Sequence, residues 1–355
     1  MTARFTRPAA PGALLGTALL LVACSGQEPA PAPTTTVDAS AAAQKAAPPE
    51  PDASIVWPLT GVETAEVAER PALAIKIENS REARPQTGLE QADLVWEEVV
   101  EGGITRYVAV YHSSIPEAVE PVRSVRPMDP AIVAPLDGIL AYSGAQPPFI
   151  DAVDASGTQS VIMDAGDAGF SRDPNRYAPH NVVGDPEAFL AQADGERTVP
   201  PPAQFAFADD PGEGTAVSDG TPASSLEVVM SRMQTTGWQW DEGSGTWLRS
   251  EGTSPSMSTS GDQHAATNVV VLEVEVVDTA FKDSSGAAVP ETRLVDSSGT
   301  GVVASGGSTI DVEWSKGGLD EPIELTAGGE PVELAPGSTW VGLMPQATGS
   351  LTVTG

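Results

Sequence analysis

Five arginines, Arg81, Arg84, Arg106, Arg123 and Arg126, fall between Asn79 and Arg126 of a chain that has fourteen arginines and four lysines. Arg172 and Arg176 follow, just before Pro179-His180-Asn181. In a protein of net charge −31 this is a local reversal of sign. Guanidinium is permanently charged and pairs bidentately with carboxylate or phosphate. Two uses compete. The arginines can pair with Asp93, Glu97, Glu98, Glu101 and Asp129 and knit the fold together. Alternatively, several converge on a pocket for an anionic ligand, and that is the reading adopted. The expected binding set is Arg84, Arg106, Arg123 and Arg126, with Asn79, Gln86, Ser124, His180 and Asn181 beside them.

Spacing sharpens the expectation. If Thr105–Tyr111 is a strand, Arg106, Val108 and Val110 share one face, and Thr105, Tyr107, Ala109 and Tyr111 the other. Arg123, Ser124 and Arg126 lie between Pro121 and Pro127, which restrict the loop. A stiff loop presenting two arginines suits ligand binding and suits a structural clamp equally. The remaining polar candidates are weaker. His180 reads as a general base, a ligand contact or a structural loop histidine. Glu97, Glu98 and Glu101 would be acid–base groups if buried, but such a run reads first as a solvated face. His112 ends a strand with no assignable partner. Asp262 and His264 lack a third metal ligand, so neither metal nor cofactor is expected. There is no G-x-S-x-G, H-E-x-x-H or P-loop motif, and no catalytic residue is assigned. The strong negative charge argues against nucleic acid as a partner.

Stepping outward, the elements that hold these residues read as an α+β protein. Leu73–Ile77 is a buried strand. Leu94–Val100 and Thr105–Tyr111 flank Gly102-Gly103 as a hairpin, with a helix over Ala92–Val100 as the alternative. Pro127–Leu136 is a weak helix, Ile139–Tyr142 a strand, Pro147–Ala155 a helix, Ser160–Met163 a strand and Pro186–Ala193 a helix. These make a mixed α/β N-terminal domain over 55–208. A Gly/Asp/Pro-rich linker, 209–221, leads to a mainly β C-terminal domain, 222–355. There Trp238–Trp240 and Thr246–Arg249 form a hairpin around DEGSG. Asn268–Val277 is the strongest strand, followed by Gly301–Ser305, Thr309–Trp314, Ile323–Thr326 and Thr339–Leu343.

The start of the chain reads as an export signal over 1–23. Arg4 and Arg7 precede a short apolar run that ends at Leu21-Val22-Ala23-Cys24. The run is shorter than the roughly 20 residues a spanning helix needs. Leu-Val-Ala-Cys resembles the bacterial lipobox, whose cysteine is lipidated. Cys24 is the one cysteine in the chain, so no internal disulfide competes for it. The expected localisation is the extracytoplasmic face of the cell membrane, with the lipid on Cys24 making the membrane a partner. Residues 24–54, rich in Pro, Ala and Thr, read as a disordered tether.

Several segments together resemble a known family. They are Ala83-Arg-Pro-Gln86 with Gly88-Leu89, Ala92-Asp93, Glu101-Gly-Gly-Ile-Thr-Arg106, Pro121-Val-Arg-Ser124 with Arg126, and Ala178-Pro-His-Asn181. Trp247-Leu-Arg249, His264, Asn268-Val-Val and Trp314-Ser-Lys316 follow the same pattern. Over about 57–345 the chain resembles the YerB-like bacterial lipoproteins. That resemblance implies a lipoprotein of two domains, the first without an established function, and supplies no reaction. Glu120 departs from the glycine usual before Pro-Val-Arg. The expected function is therefore a lipid-anchored envelope protein that binds an anionic envelope component or a protein partner through the arginines. One alternative is an enzyme acting on a phosphorylated or lipid-linked cell-wall precursor; the strand–Arg–strand–(Pro-x-Arg) order loosely resembles LytR-type phosphotransferases. The other is a scaffold whose arginines form internal salt bridges.

Overall fold

In the computed structural model, residues 54–355 are described except residue 196. The expected signal peptide, Cys24 and the tether up to residue 53 lie outside the described residues. Three strands occupy the centre: Leu73–Glu78 (β1), Leu94–Val99 (β2) and Thr105–Tyr111 (β3), and all their residues are buried. β2 and β3 pair antiparallel, with Gly102 and Gly103 both at positive φ in the connection, a conformation open to glycine for want of a Cβ. The helix alternative over Ala92–Val100 gives way to a strand, because β2 has a hydrogen-bonded neighbour on each side.

β3 pairs antiparallel with β1, and β1 runs parallel to Ile139–Tyr142 (β4), itself parallel to Gln159–Ile162 (β5). Two helices, Asp129–Val133 (α1) and Pro147–Ala155 (α2), carry prolines in their first turns, where the missing N–H costs nothing. On its other side β2 pairs in parallel with Thr339–Pro345, Leu94 opposite Thr339 and Glu97 opposite Gly342. The sheet continues through Asn268–Lys282, Ser297–Ser305 and Ser308–Lys316, and holds 13 strands among the described residues. Residues 209–221 contain a short helix, Thr215–Asp219, whose Ala216 is buried. The fold is α+β, with helices confined mainly to the first half and a mainly β second half.

The two faces of the large sheet are covered differently. On one, Trp96, Val108 and Val110 pack with Ile132 and Val133 of α1 and Phe149 and Val153 of α2. On the other, Tyr107, Val269 and Trp340 pack with Leu226, Trp238 and Trp247 of a second sheet. That second sheet includes Ser225–Val229, Thr235–Asp241, Thr246–Glu251 and Ser350–Thr354. Because β2 is covered on both faces, Glu97 and Glu98 are only 1% and 0% exposed. Their reading as a solvated face is corrected.

A buried carboxylate requires a buried cation. For Glu97 it is Arg249, whose Nη2 lies 3.0 and 2.9 Å from the two carboxylate oxygens. The same guanidinium lies over the rings of Trp340, Tyr107 and Trp238, 4.8 Å from the first centroid. Replacing Arg249 by Met would strand Glu97 without its charge partner. The expected loss is about 3–5 kcal/mol of unfolding free energy, measurable by urea denaturation, with part of it recovered on adding Glu97→Gln.

Candidate functional site

Alternation along β3 places Arg106 on the α1/α2 face with Val108 and Val110. Register places Glu78 of β1 and Glu98 of β2 on either side of it, so Glu78, Arg106 and Glu98 form one row across three strands. One step along β1 on the same face is Lys76. Its ammonium ion-pairs with Glu98 and, at 2.7 Å, with Asp129 Oδ1 at the start of α1. Asp129 Oδ2 in turn accepts the Arg126 backbone N–H at 2.6 Å. Burial, with the neighbouring Asp129 charge, pushes the Glu98 carboxyl up to about 7 despite Lys76.

The segment Arg123–Arg126 lies against this row. The Arg123 N–H donates to Lys76 O at 2.8 Å, and Arg123 O accepts from Ser143 N at 3.0 Å. Arg106 Nη1 donates to Ser124 O at 2.7 Å, while the Ser124 hydroxyl lies 3.3 Å from that of Ser143. Arg123 Nε is 3.1 Å from Glu78 Oε2, and Arg126 Nε is 2.7 Å from Glu101 Oε1. Arg106 differs. It is 4% exposed and forms no ion pair among the described residues; its buried Nε, like that of Arg123, has no hydrogen-bond partner. Burial and the nearby charges of Arg126 and Arg123 lower its pKa to about 9, against the opposing pull of Glu101 and Glu78. His180 Nδ1 reaches the same Glu78 Oε2 at 2.9 Å. Arg123 and His180 thus meet at Glu78, Arg106 lies beside it in the row with Ser124 O on its Nη1, and Arg126 is held at Glu101.

The remaining expected site residues lie elsewhere. Asn79 points to the opposite face, where its amide donates to Thr105 Oγ1 at 2.8 Å and Thr105 donates to Glu97 at 2.8 Å. Arg84 joins that network through Asn79 Oδ1 at 2.9 Å and pairs with Glu251 Oε2 at 2.8 Å. Gln86 donates to Glu78 O and Asn79 Oδ1, each at 3.1 Å. Asn181 accepts from Arg172 Nη1 at 2.8 Å and organises its own loop. Arg176 Nη1 donates to Ala83 O at 2.9 Å, and its Nε is 3.6 Å from Glu120. The sheet therefore separates Arg84 from the other three arginines. Of the carboxylates expected to neutralise the arginines, Glu101 does so. Glu98 and Asp129 serve Lys76, Glu97 serves Arg249, and Asp93 holds the His112 and Ser113 N–H groups at 2.6 and 2.8 Å. His112 is also edge-on to Trp57 and lies 3.2 Å from Ala68 O, which supplies the partners its sequence position did not reveal.

Lys76 and Glu78 were missed in sequence. The available signal was two charges at alternate positions inside LAIKIE, an otherwise wholly apolar strand. His264 is buried against Ser256 Oγ at 3.0 Å and lowered to about 4 by burial, while Asp262 bonds the neighbouring Ser260 hydroxyl. Among the described residues no three His, Cys, Asp or Glu side chains are grouped to hold a metal ion. The Lys76–Glu98–Asp129 cluster gives a direct test. Glu98 holds its proton more tightly in the fold than in the unfolded chain, so its contribution to stability is complete below about 4.5 and is lost as pH rises through about 7. Glu98→Gln should flatten the fall in unfolding temperature across that window in a pH series.

Known proteins share this arrangement of the chain. Residues 59–199 match the N-terminal domain, and residues 226–341 the C-terminal domain, of a family described as proteins of unknown function (DUF3048). A curated relative, "Putative lipoprotein YerB" of Bacillus subtilis (strain 168), is 41% identical over 105 residues, 29% of this chain and 32% of that protein. The aligned segment thus spans about a third of the relative's length. The crystal structure of the YerB protein from Bacillus subtilis superposes with a TM-score of 0.71 at 24% identity, covering 84% of this chain and 99% of that one, a likeness of fold. With both domain matches in chain order and together covering more than half of its length, the protein belongs to the YerB-like family.

Proposed function

We propose that this protein is held at the outer face of the cell membrane by a lipid on Cys24 and binds an anionic ligand through Arg106, Arg123 and Arg126. One observation carries the binding half: Arg106 is a buried guanidinium with no carboxylate of its own and an unpartnered Nε, flanked by two further guanidiniums. A fold gains nothing by burying such a charge. A site that awaits an oxyanion does, since the ligand supplies the missing acceptors. The anchoring half is supported by Leu21-Val22-Ala23-Cys24 and by the lipoprotein name of the relative.

A scaffold reading draws on Arg84, which joins the two halves of the chain through Glu251 and Gln234. Arg106→Met separates the two. Removing a buried charge that has no ion-pair partner relieves its desolvation cost, so the variant should melt no lower than the parent. Inorganic phosphate or sulfate should raise the unfolding temperature of the parent and leave that of the variant unchanged. A melt that collapses on substitution supports the scaffold instead. For the anchor, Cys24→Ser should move the protein from the membrane fraction to the soluble fraction of cells that export it, as detected by immunoblot.

A further inference from the structure

Glu78 Oε2 sits between two side chains, His180 Nδ1 at 2.9 Å and Arg123 Nε at 3.1 Å. An ionised carboxylate only accepts, so the ring proton belongs on Nδ1, and Nε2 of the neutral ring is left as an acceptor. Nε2 has no partner among the described residues, and neither do the two terminal nitrogens of Arg123. Both side chains remain partly open, 22% and 21% exposed. The loop beneath the imidazole is fixed: His180 N donates to Tyr177 O at 2.9 Å, and the Asn181 side chain takes Arg172. One buried carboxylate thus holds a free donor fork and a free acceptor next to each other, beside the unpaired Arg106.

From this geometry we infer that the arginine site selects an oxyanion that also donates a hydrogen bond, with His180 Nε2 as the acceptor. The inference rests on the anion-binding reading above and goes further, to the class of ligand. A fully deprotonated oxyanion would turn a lone pair toward Nε2 and leave that acceptor unpaired, which a polar site penalises. An oxyanion with a hydroxyl satisfies both partners. Free phosphate does so through its remaining proton; a phosphoester with a neighbouring hydroxyl does so through its alcohol. Sulfate and methyl phosphate offer the charge without the donor.

The test is calorimetric titration of the purified full-length protein at about pH 8, above the ordinary imidazole range. The probes are inorganic phosphate, glycerol 3-phosphate, sulfate and methyl phosphate. The expected result is that inorganic phosphate or glycerol 3-phosphate binds about tenfold or more tightly than the two probes without a donor. Whichever of the first two binds more tightly identifies the source, free phosphate or a hydroxylated ester. His180→Ala should bring all four toward equal affinity, and His180→Gln, which keeps an acceptor, should restore part of the preference. Equal affinities in the parent, or a preference that survives His180→Ala, overturn this inference and leave the anion site standing. Absence of binding for all four probes overturns both.

Discussion

Charge buried between two covered faces of a sheet is the constraint on which this structure turns. β1, β2 and β3 are buried throughout, yet they carry Lys76, Glu78, Glu97, Glu98 and Arg106. None of these can be left to water, so each must find its complement within the protein. Lys76 does so with Glu98 and Asp129, and Glu97 does so with Arg249. These pairings fix the position of α1 over one face and of the second sheet over the other. Arg106 is the exception: it has no ion pair among the described residues, and Arg123 and Arg126 add to its positive surroundings while Glu101 and Glu78 act against them.

The sheet also acts as a partition. Strand alternation sends Arg106 to the helical face and Asn79, Thr105 and Glu97 to the face beneath the second sheet. Two polar networks therefore lie within one strand thickness of each other and serve different ends. In the network under the second sheet every charge has a partner of opposite sign: Arg84, Arg249, Gln234, Glu97 and Glu251 answer one another across the two halves of the chain. The network on the helical face keeps unanswered donors at Arg106 and unanswered outer nitrogens at Arg123 and His180.

Much of this was legible in the residues. Gly102-Gly103 between two β-rich runs marked the β2–β3 hairpin, and alternation over Thr105–Tyr111 assigned Arg106 and Tyr107 to opposite faces correctly. The prolines of α1 and α2 marked first turns. Partner choice was not legible, because it depends on which strands become neighbours. Glu97 and Glu98 look like a solvated run until both faces of β2 are known to be covered. Arg84 and Arg123 fall in one expected binding set, and only the register of β1 against β3 puts the sheet between their surroundings. Lys76 and Glu78 were overlooked, although two charges inside an apolar strand are a signal that compensation must come from elsewhere.

The parallel pairing of β2 with Thr339–Pro345 has a consequence for how the chain acquires its shape. Leu94 meets Thr339 across a separation that spans most of the sequence, and such distant partners are slow to find each other. Synthesis delivers the arginine segment early, but one flank of β2 stays bare until almost the last strand has arrived. Until then an unsatisfied strand edge is exposed to any other chain that can pair with it. The last strands to emerge thus act as a closing seal on that edge of β2.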